Sequence, residues 1–554
     1  MKKIIYSLIF AISIFGMSCE NKFNDLPQDY YDINDVLSDS IFTMGIVHDI
    51  YYALPDGYNH LGGSSMIASA TDEAVQCGHS TEAQFMALGN WSASTLRDDA
   101  WSSSYAAIRK VNVFLNEIYP EIPENLFRSD RTVELLVGQS YFLRAFFYFE
   151  LVKRYGGVPI LTEVLGIGDG TDISRNNYDD CISYIVDQCD KAAAILPNAW
   201  DLPNNNFGKA TKGAALALKS RALLYAASPL FNDQSKPENS LEHGAYDNKK
   251  WEKAAQAAYD VINLNVYQLY NDYSKFFVTL NNNKEIIFSK MSSRNNDVER
   301  LNGPTGFTNG NGGSCPSLDL VDAYQMSDGS SFEWTNPVHA QDPFLNREPR
   351  FYSSVLYNGA DWMGSVIQTF EGGKDLGNVN STKTGFYLKK FMSEDAQWFG
   401  GTPGSTLHCF PFIRYAEILL NYAEAMNEAF GPENAGSFGM TALAAINLVR
   451  ARANVPPFPT GLSPAEMRTR IQHERRIELA FEEHRHLDVR RWKLAESVFG
   501  KPVYGLKILS NQDGSFAYER RIVQNRVFRS GMYLYPIPQS EINRNSSLKQ
   551  NTGW

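Results

Sequence analysis

The sequence predicts a mostly α-helical fold in which helix pairs support a loop-rich insert, and three observations carry it. Segments with apolar residues three and four apart recur in pairs toward both ends of the chain. Alanines crowd several of these segments, so that neighbouring helices can approach closely. Between residues 275 and 412 the helical spacing fades into short apolar pieces, punctuated by Asn281-Asn282-Asn283 and Asn309-Gly310-Asn311-Gly312-Gly313.

In chain order, Met1-Lys2-Lys3 makes a short positive start and residues 4–15 form an apolar run. That run is too short to span a bilayer, which takes about 20 helical residues, and it reads as a secretory signal. It ends in Gly16-Met17-Ser18, small residues directly before Cys19, as at the cleavage site of a bacterial lipoprotein. Cys19 would then be the acylated first residue, with 1–18 as the signal peptide and 19–554 as a single domain. Gly16 stands where Leu is usual, and an ordinary exported protein with an incidental cysteine is the alternative.

The first helix pair is expected over residues 35–53 and 100–118, with a long loop from 54 to 99 between them. The next pairs are 133–154 with 178–196, 209–227 with 251–264, and 413–430 with 441–453. The 133–154 helix is stopped by Gly156, Gly157 and Pro159. Alanines at 214, 215, 217 and 222, and at 254, 255, 257 and 258, leave room that Leu218, Leu223, Tyr225 and Tyr259 fill, as in stacked tetratricopeptide-type hairpins. A plain helical bundle fits the same spacing. The helical scaffold thus covers about 35–275 and 412–500, the insert about 275–412 and a C-terminal tail about 500–554. Ordered loops of this length usually serve function, so the insert and the 54–99 loop are where a site is expected.

Composition narrows the function. With 51 Lys+Arg against 62 Asp+Glu the net charge is −11, and loss of Lys2 and Lys3 with the leader takes it to −13. Such a chain is a poor nucleic-acid binder. Aromatics make up 13% of the residues, enough to offer some rings to a ligand. Cys77, Cys181, Cys189, Cys315 and Cys409, an odd number and scattered, describe neither a disulfide framework nor a zinc site and read as buried small hydrophobes.

Five segments resemble the SusD/RagB family of outer-membrane nutrient-binding lipoproteins: Gln139–Pro159 (QSYFLRAFFYFELVKRYGGVP), Arg414–Ala425 (RYAEILLNYAEA), Ala444–Arg452 (AAINLVRAR), Glu474–Trp492 (ERRIELAFEEHRHLDVRRW) and Tyr533–Trp554 (YLYPIPQSEINRNSSLKQNTGW). Two positions depart from the family pattern: Glu483 stands where Gly is frequent, and His486 where an aromatic is common. The resemblance implies a SusD-like α-helical fold with four degenerate tetratricopeptide-like helix pairs and a loop-rich binding face. It also implies a lipid-anchored protein on the outer face of the outer membrane that captures oligosaccharide for a SusC-like TonB-dependent transporter. No cofactor, no metal and no catalysis are expected. A RagB-like lid that captures peptide has the same fold, and an exported glycan-cleaving enzyme is the alternative from another class.

The acidic and histidine-rich 474–492 segment does not read as catalytic. Ile477 breaks the H-E-x-x-H zinc pattern after His473-Glu474, and the interleaved arginines point to a helix knitted to its neighbours by ion pairs. No G-x-S-x-G elbow, Walker loop or dinucleotide fingerprint occurs, and no carboxylate pair is singled out for glycoside hydrolysis. Gly166–Asp172 has the flavour of a calcium loop but reads as a turn. Trp101, Trp200, Trp251, Trp492 and Trp554 read as structural. Trp91, Trp334, Trp362 and Trp398 sit among polar loop residues, where an indole face can stack on a sugar ring. The resemblance assigns that role first to Trp91 and Trp334, then to Trp362 and Trp398, with Asn90 and Asp72 as polar partners.

Overall fold

The helices form where the apolar spacing places them and stack in series. A computed structural model describes residues 33–554 apart from residues 64, 79–81, 167–171, 201–206, 281–282 and 402. Cys19 and most of the Gly166–Asp172 loop therefore lie outside the described residues. The first segment divides into α1 (Ile33–Ser38) and α2 (Ser40–Tyr52), because the Asp39 side chain accepts from Ile41 N and caps a new helix. Then follow α3 (Trp101–Val113), α4 (Asp130–Tyr155), α5 (Tyr178–Ile195), α6 (Lys212–Ala227), α7 (Lys250–Ile262), α8 (Tyr415–Phe430) and α9 (Ala442–Arg452). From α2 to α9 each packs against the next.

Helix α4 is the spine. Every residue from Phe142 to Val152 is buried, so this helix is enclosed by protein on all sides. Gly156 ends it at φ +76°, where an added Cβ would lie 2.5 Å from the Leu241 carbonyl oxygen. The alanine stripes behave as expected: Ala214, Ala215, Ala217, Ala254, Ala255 and Ala258 are buried between α6 and its neighbours. All five cysteines from Cys77 onward are buried and free.

Short strands stitch the loops to this scaffold. Those longer than two residues are β1 (Ala74–Gln76), β2 (Ile286–Met291), β3 (Ser314–Pro316), β4 (Cys409–Arg414), β5 (Val503–Ser510) and β6 (Phe516–Gln524). They pair antiparallel as β1 with β3, β2 with β4 and β5 with β6. The β1–β3 pair sets Val75 opposite Cys315 and so ties the 54–99 loop to the insert. Residues 413 and 414 belong to β4, not to the following helix, because β4 extends through Arg414 in its pairing with β2.

The Glu474–Trp492 segment is two helices and not one. Helix α10 (Pro464–Glu478) starts in a capping box between Ser463 and Glu466, and α11 (His484–Arg491) starts after a turn in which Phe481 and Glu483 both sit at φ +65°. Five cations and five glutamates interlock there in the interior. Glu478 takes Arg414 at 2.7 Å, Arg350 at 2.9 Å and also Arg452; Glu474 takes Arg350 at 2.5 Å and Arg450 at 2.7 Å. Glu482 takes Arg414 at 2.6 Å and Lys390 at 2.7 Å, Glu285 takes Arg414 and Arg452, and Glu348 takes Arg350.

Burial alone would raise the Glu478 carboxyl, but Arg452, Arg414 and Arg350 outweigh it and hold it well below the usual carboxylate range. A carboxylate with a depressed native pKa contributes stability that is complete above its unfolded value, about 4.3, and is lost as pH falls further. Glu478→Gln leaves three guanidinium groups short of a partner and should cost about 3–5 kcal/mol at pH 7. Thermal melts between pH 3 and 7 check this: the wild type should lose stability steeply below about pH 4.3, and the variant should show a lower, flatter profile.

Candidate functional site

A cleft of about 250 Å³ opens where the loop after α2, the start of α3 and the outer turns of α4 converge. Its lining includes Asp56, Asn59, His60, Asp98, Asp99, Ser103, Glu150 and Arg154, with Phe147 as its aromatic surface. A second hollow, of about 340 Å³ between Ala93–Leu96 and Pro538–Asn543, meets it at Asp99. Two broader hollows of about 530 and 590 Å³ lie among lysines and acids on the outside of the scaffold helices, and neither gathers polar groups from the long loops.

The loop is held in place from behind. Tyr58 is buried, donates to the Cys409 carbonyl at 2.9 Å and sets its ring edge-on to Phe391 and Phe410. Gly57 lies flat on Phe410, where a Cβ would come within 2.3 Å of the ring. Asp56 Oδ1 accepts from the backbone of Tyr58 and Asn59, forming the turn that presents Asn59 and His60. Asp99 Oδ1 accepts from Trp101 N at 2.9 Å and from the Tyr155 hydroxyl at 2.6 Å, at the N-terminus of α3. Tyr52, 82% exposed, ends α2 next to Ala53 of the lining.

The floor is ion-paired throughout. His60 Nε2 lies 2.5 Å from Asp98 Oδ1 and His60 Nδ1 lies 2.7 Å from Glu483 Oε1. Arg154 bridges Asp98 and Glu150 at 2.8 and 2.7 Å, and Lys153 meets Glu150 at 2.5 Å. Burial alone would lower the imidazole pKa, but Glu483 and Asp98 outweigh it and raise it to about 10, so His60 is an imidazolium at neutral pH. Asp98 is kept ionised in spite of burial by Arg154 and His60.

The tryptophans differ from expectation. Trp91 is 3% exposed, its ring packed on Trp554 with centroids 4.6 Å apart and edge-on to Tyr535, so it staples the C-terminal tail to the 54–99 loop. Trp362 is buried in a two-residue hairpin, and Trp398 is buried against Phe307 and Phe399 with its Nε1 donating to the Thr308 carbonyl. Packing against the core wins over solvent exposure because each indole buries a large apolar area. Trp334 alone of the four keeps part of its surface open, with Nε1 donating to Asp322 Oδ2 at 3.0 Å and Phe332 edge-on. Each ring has its own neighbours, and the four do not gather into one platform.

Asp72 is occupied as well. Arg485 takes it in bidentate fashion at 2.9 Å and Arg476 adds a contact at 2.8 Å, holding its carboxyl well below the usual range against the effect of burial. Asn90 is exposed beside the buried Trp91. Sequence reasoning pointed to the insert and to the 54–99 loop; the cleft draws on the loop and on no residue of the insert, and its Asp56, His60 and Asp98-Asp99 pair were not singled out. The available signal was a polar Asp-Gly-Tyr-Asn-His run directly after one amphipathic helix, and an acidic doublet directly before the next.

Comparison with known proteins agrees with this architecture. The family model described as "SusD family" matches residues 280–554, and one described as "Starch-binding associating with outer membrane" matches residues 33–224. A crystal structure of a SusD-like protein from Bacteroides fragilis superposes with a TM-score of 0.79 at 28% identity, covering 95% of this chain and 99% of that one. A SusD-like carbohydrate binding protein from the same organism gives 0.74 at 27% identity, over 93% and 99% of the two chains. SusD-like protein P2 of Formosa agariphila is 28% identical over 483 residues, 81% of this chain and 79% of that protein. With two models in order on the helical scaffold, the insert and the tail, and a matching fold over nearly its full length, the chain belongs to the SusD/RagB family.

Proposed function

We propose that this protein is a surface glycan-binding lipoprotein that captures oligosaccharide without cleaving it and hands it to a SusC-like TonB-dependent transporter. The observation that carries this reading is the family match, together with the likeness over 93% of the chain to a protein described as carbohydrate binding. The outer-membrane association named by the second family model supports the location. No helix among the described residues is long and apolar enough to cross a membrane. The anchor in this reading is a lipid on Cys19, supported by the short apolar run and Gly16-Met17-Ser18 before it.

The cleft has the chemistry of a sugar site. Asp99 is fixed through Oδ1 and keeps Oδ2 for a ligand, while Asp56 is fixed through Oδ1 and meets only the Asn59 amide, at 3.5 Å, through Oδ2, so each can accept from a sugar hydroxyl with little further ordering. Asn59 adds an amide, and Tyr52 offers an exposed ring on which a pyranose face can stack. Trp334 and Asn90 lie outside this set and test whether the glycan extends further.

Calorimetry on residues 20–554 with malto-, laminari-, xylo- and manno-oligosaccharides tests the reading, and a reducing-sugar assay on the same mixtures should detect no cleavage. Binding of peptides with no response to any glycan would favour a peptide-capturing lid instead. Tyr52→Ala and Asp99→Asn should each weaken glycan binding by about 1–3 kcal/mol and leave the melting temperature near wild type. Trp91→Ala should do the reverse, costing about 3–5 kcal/mol of stability through the cavity it leaves beneath Trp554 and Tyr535. Trp334→Ala with unchanged affinity would confine the site to the cleft. Cys19→Ala should move the protein from the membrane fraction to the soluble one; a variant still membrane-bound and lipid-labelled would refute the anchor.

A further inference from the structure

Glu483 occupies a position that its side chain makes unfavourable. At φ +65°, ψ 3° its backbone is left-handed, a conformation that glycine adopts freely and a residue with a Cβ does not. As the residue preceding α11 it makes no capping hydrogen bond. What its carboxylate does reach is His60 Nδ1, an ion-pair contact at 2.7 Å whose angle falls short of a hydrogen bond, across from the hydrogen bond of Asp98 to Nε2. Strain held at one residue whose contact lies in a cleft points to function there.

The consequence is electrostatic. Among the described residues each cation lining the cleft is matched, His60 by Glu483 and Asp98 and Arg154 by Asp98 and Glu150, and the neighbouring Lys153 is matched by Glu150. Lys290, outside the lining, donates to the carbonyl of Leu54. Beside the hydroxyls of Ser103 and Ser104, the charged lining groups left for a ligand are acceptors, the carboxylates of Asp56 and Asp99. Acceptors of this kind take hydroxyl donors and repel sulfate or carboxylate.

Building on the glycan-capture reading, we propose that Glu483 is a specificity-determining residue, which by engaging His60 keeps the cleft free of an unmatched cation. The cleft thereby takes neutral glycans and rejects sulfated or uronate-bearing ones. Glu483 acts through His60 and is a positioning residue.

The test uses residues 20–554 as wild type, Glu483→Gly and Glu483→Gln, with the neutral oligosaccharides above and with carrageenan and alginate oligosaccharides, at pH 6 and low salt. Wild type should bind a neutral member and no anionic one. Both variants should gain anionic binding relative to neutral by about 5- to 20-fold, an advantage that added salt removes. Melting temperature should stay near wild type or rise in Glu483→Gly, where the backbone strain is relieved. A histidine NMR titration reads the contact independently of any ligand: His60 should remain protonated well above neutral pH in wild type and titrate lower in both variants. Wild type preferring the anionic glycans overturns the inference and leaves glycan capture standing, whereas no binding of either class defeats glycan capture and this inference with it. A change of selectivity in Glu483→Gly but not in Glu483→Gln places the effect in the backbone and overturns the role given to the charge, as does an unmoved His60 titration.

Discussion

The neutral lattice of five cations and five glutamates around Glu478 is the constraint on which the rest of the molecule depends. Its members come from the residue before β2, the insert, the end of β4, the end of α9, α10 and the turn after it, so no single segment can shift without stranding a charge. Buried ion pairs of this kind give little net stability over apolar packing, since desolvation cancels most of the attraction. What they do is penalise every other arrangement, because a displaced partner leaves an uncompensated charge in the interior. A loop-rich insert with few regular elements needs such a penalty more than a helix does. The helices are determined by their own periodicity and by packing against α4.

From the lattice the constraint passes to the cleft through adjacent residues. Glu482 is held by Lys390 and Arg414, and the next residue, Glu483, reaches His60. The two flanking left-handed residues, Phe481 and Glu483, are tolerated because what surrounds them is over-determined: Phe481 is fully buried, Glu482 lies in the lattice and α11 is pinned through Asp488 to Arg475 and Arg491. The ion-paired interior and the ligand-facing surface are thus two ends of one turn.

This division explains what was legible in the sequence. Helix positions follow from a period that survives in any amphipathic segment, and the five family segments lie largely on the scaffold, in the α10–α11 region and in the tail, where packing and ion pairing leave little freedom. Tryptophan is a poor guide to a site by comparison. A loop indole is as useful for fastening loop to core as for meeting a sugar, and Trp91, Trp362 and Trp398 do the fastening. Asp72 was similarly ambiguous: its partners Arg476 and Arg485 lie some four hundred positions along the chain, and only the tertiary structure brings them together. The strands of two to six residues were invisible because so short a stretch shows no usable period, whereas β5 and β6, of eight and nine residues, lie in the tail that was read only through the family resemblance. The turn at 479–483 was hidden because Glu483 carries no left-handed signature, unlike glycine.

The arrangement that results is suited to ligands whose individual contacts are weak. A hydroxyl-to-carboxylate hydrogen bond in an open cleft adds little on its own, since both groups are already solvated, so affinity depends on how much ordering the protein must still do. Asp99 is fixed by a backbone amide and a tyrosine hydroxyl, Asp56 by two backbone amides, and the cations beneath them by carboxylates, so little rearrangement remains for binding to bring about. Tyr52 is the exception. It stands exposed at the end of α2, without packing that would fix its ring against the cleft. On the glycan-capture reading proposed above, rigid acceptors would register the pattern of hydroxyls closely, while an exposed ring outside the cleft lining would tolerate variation along a polysaccharide.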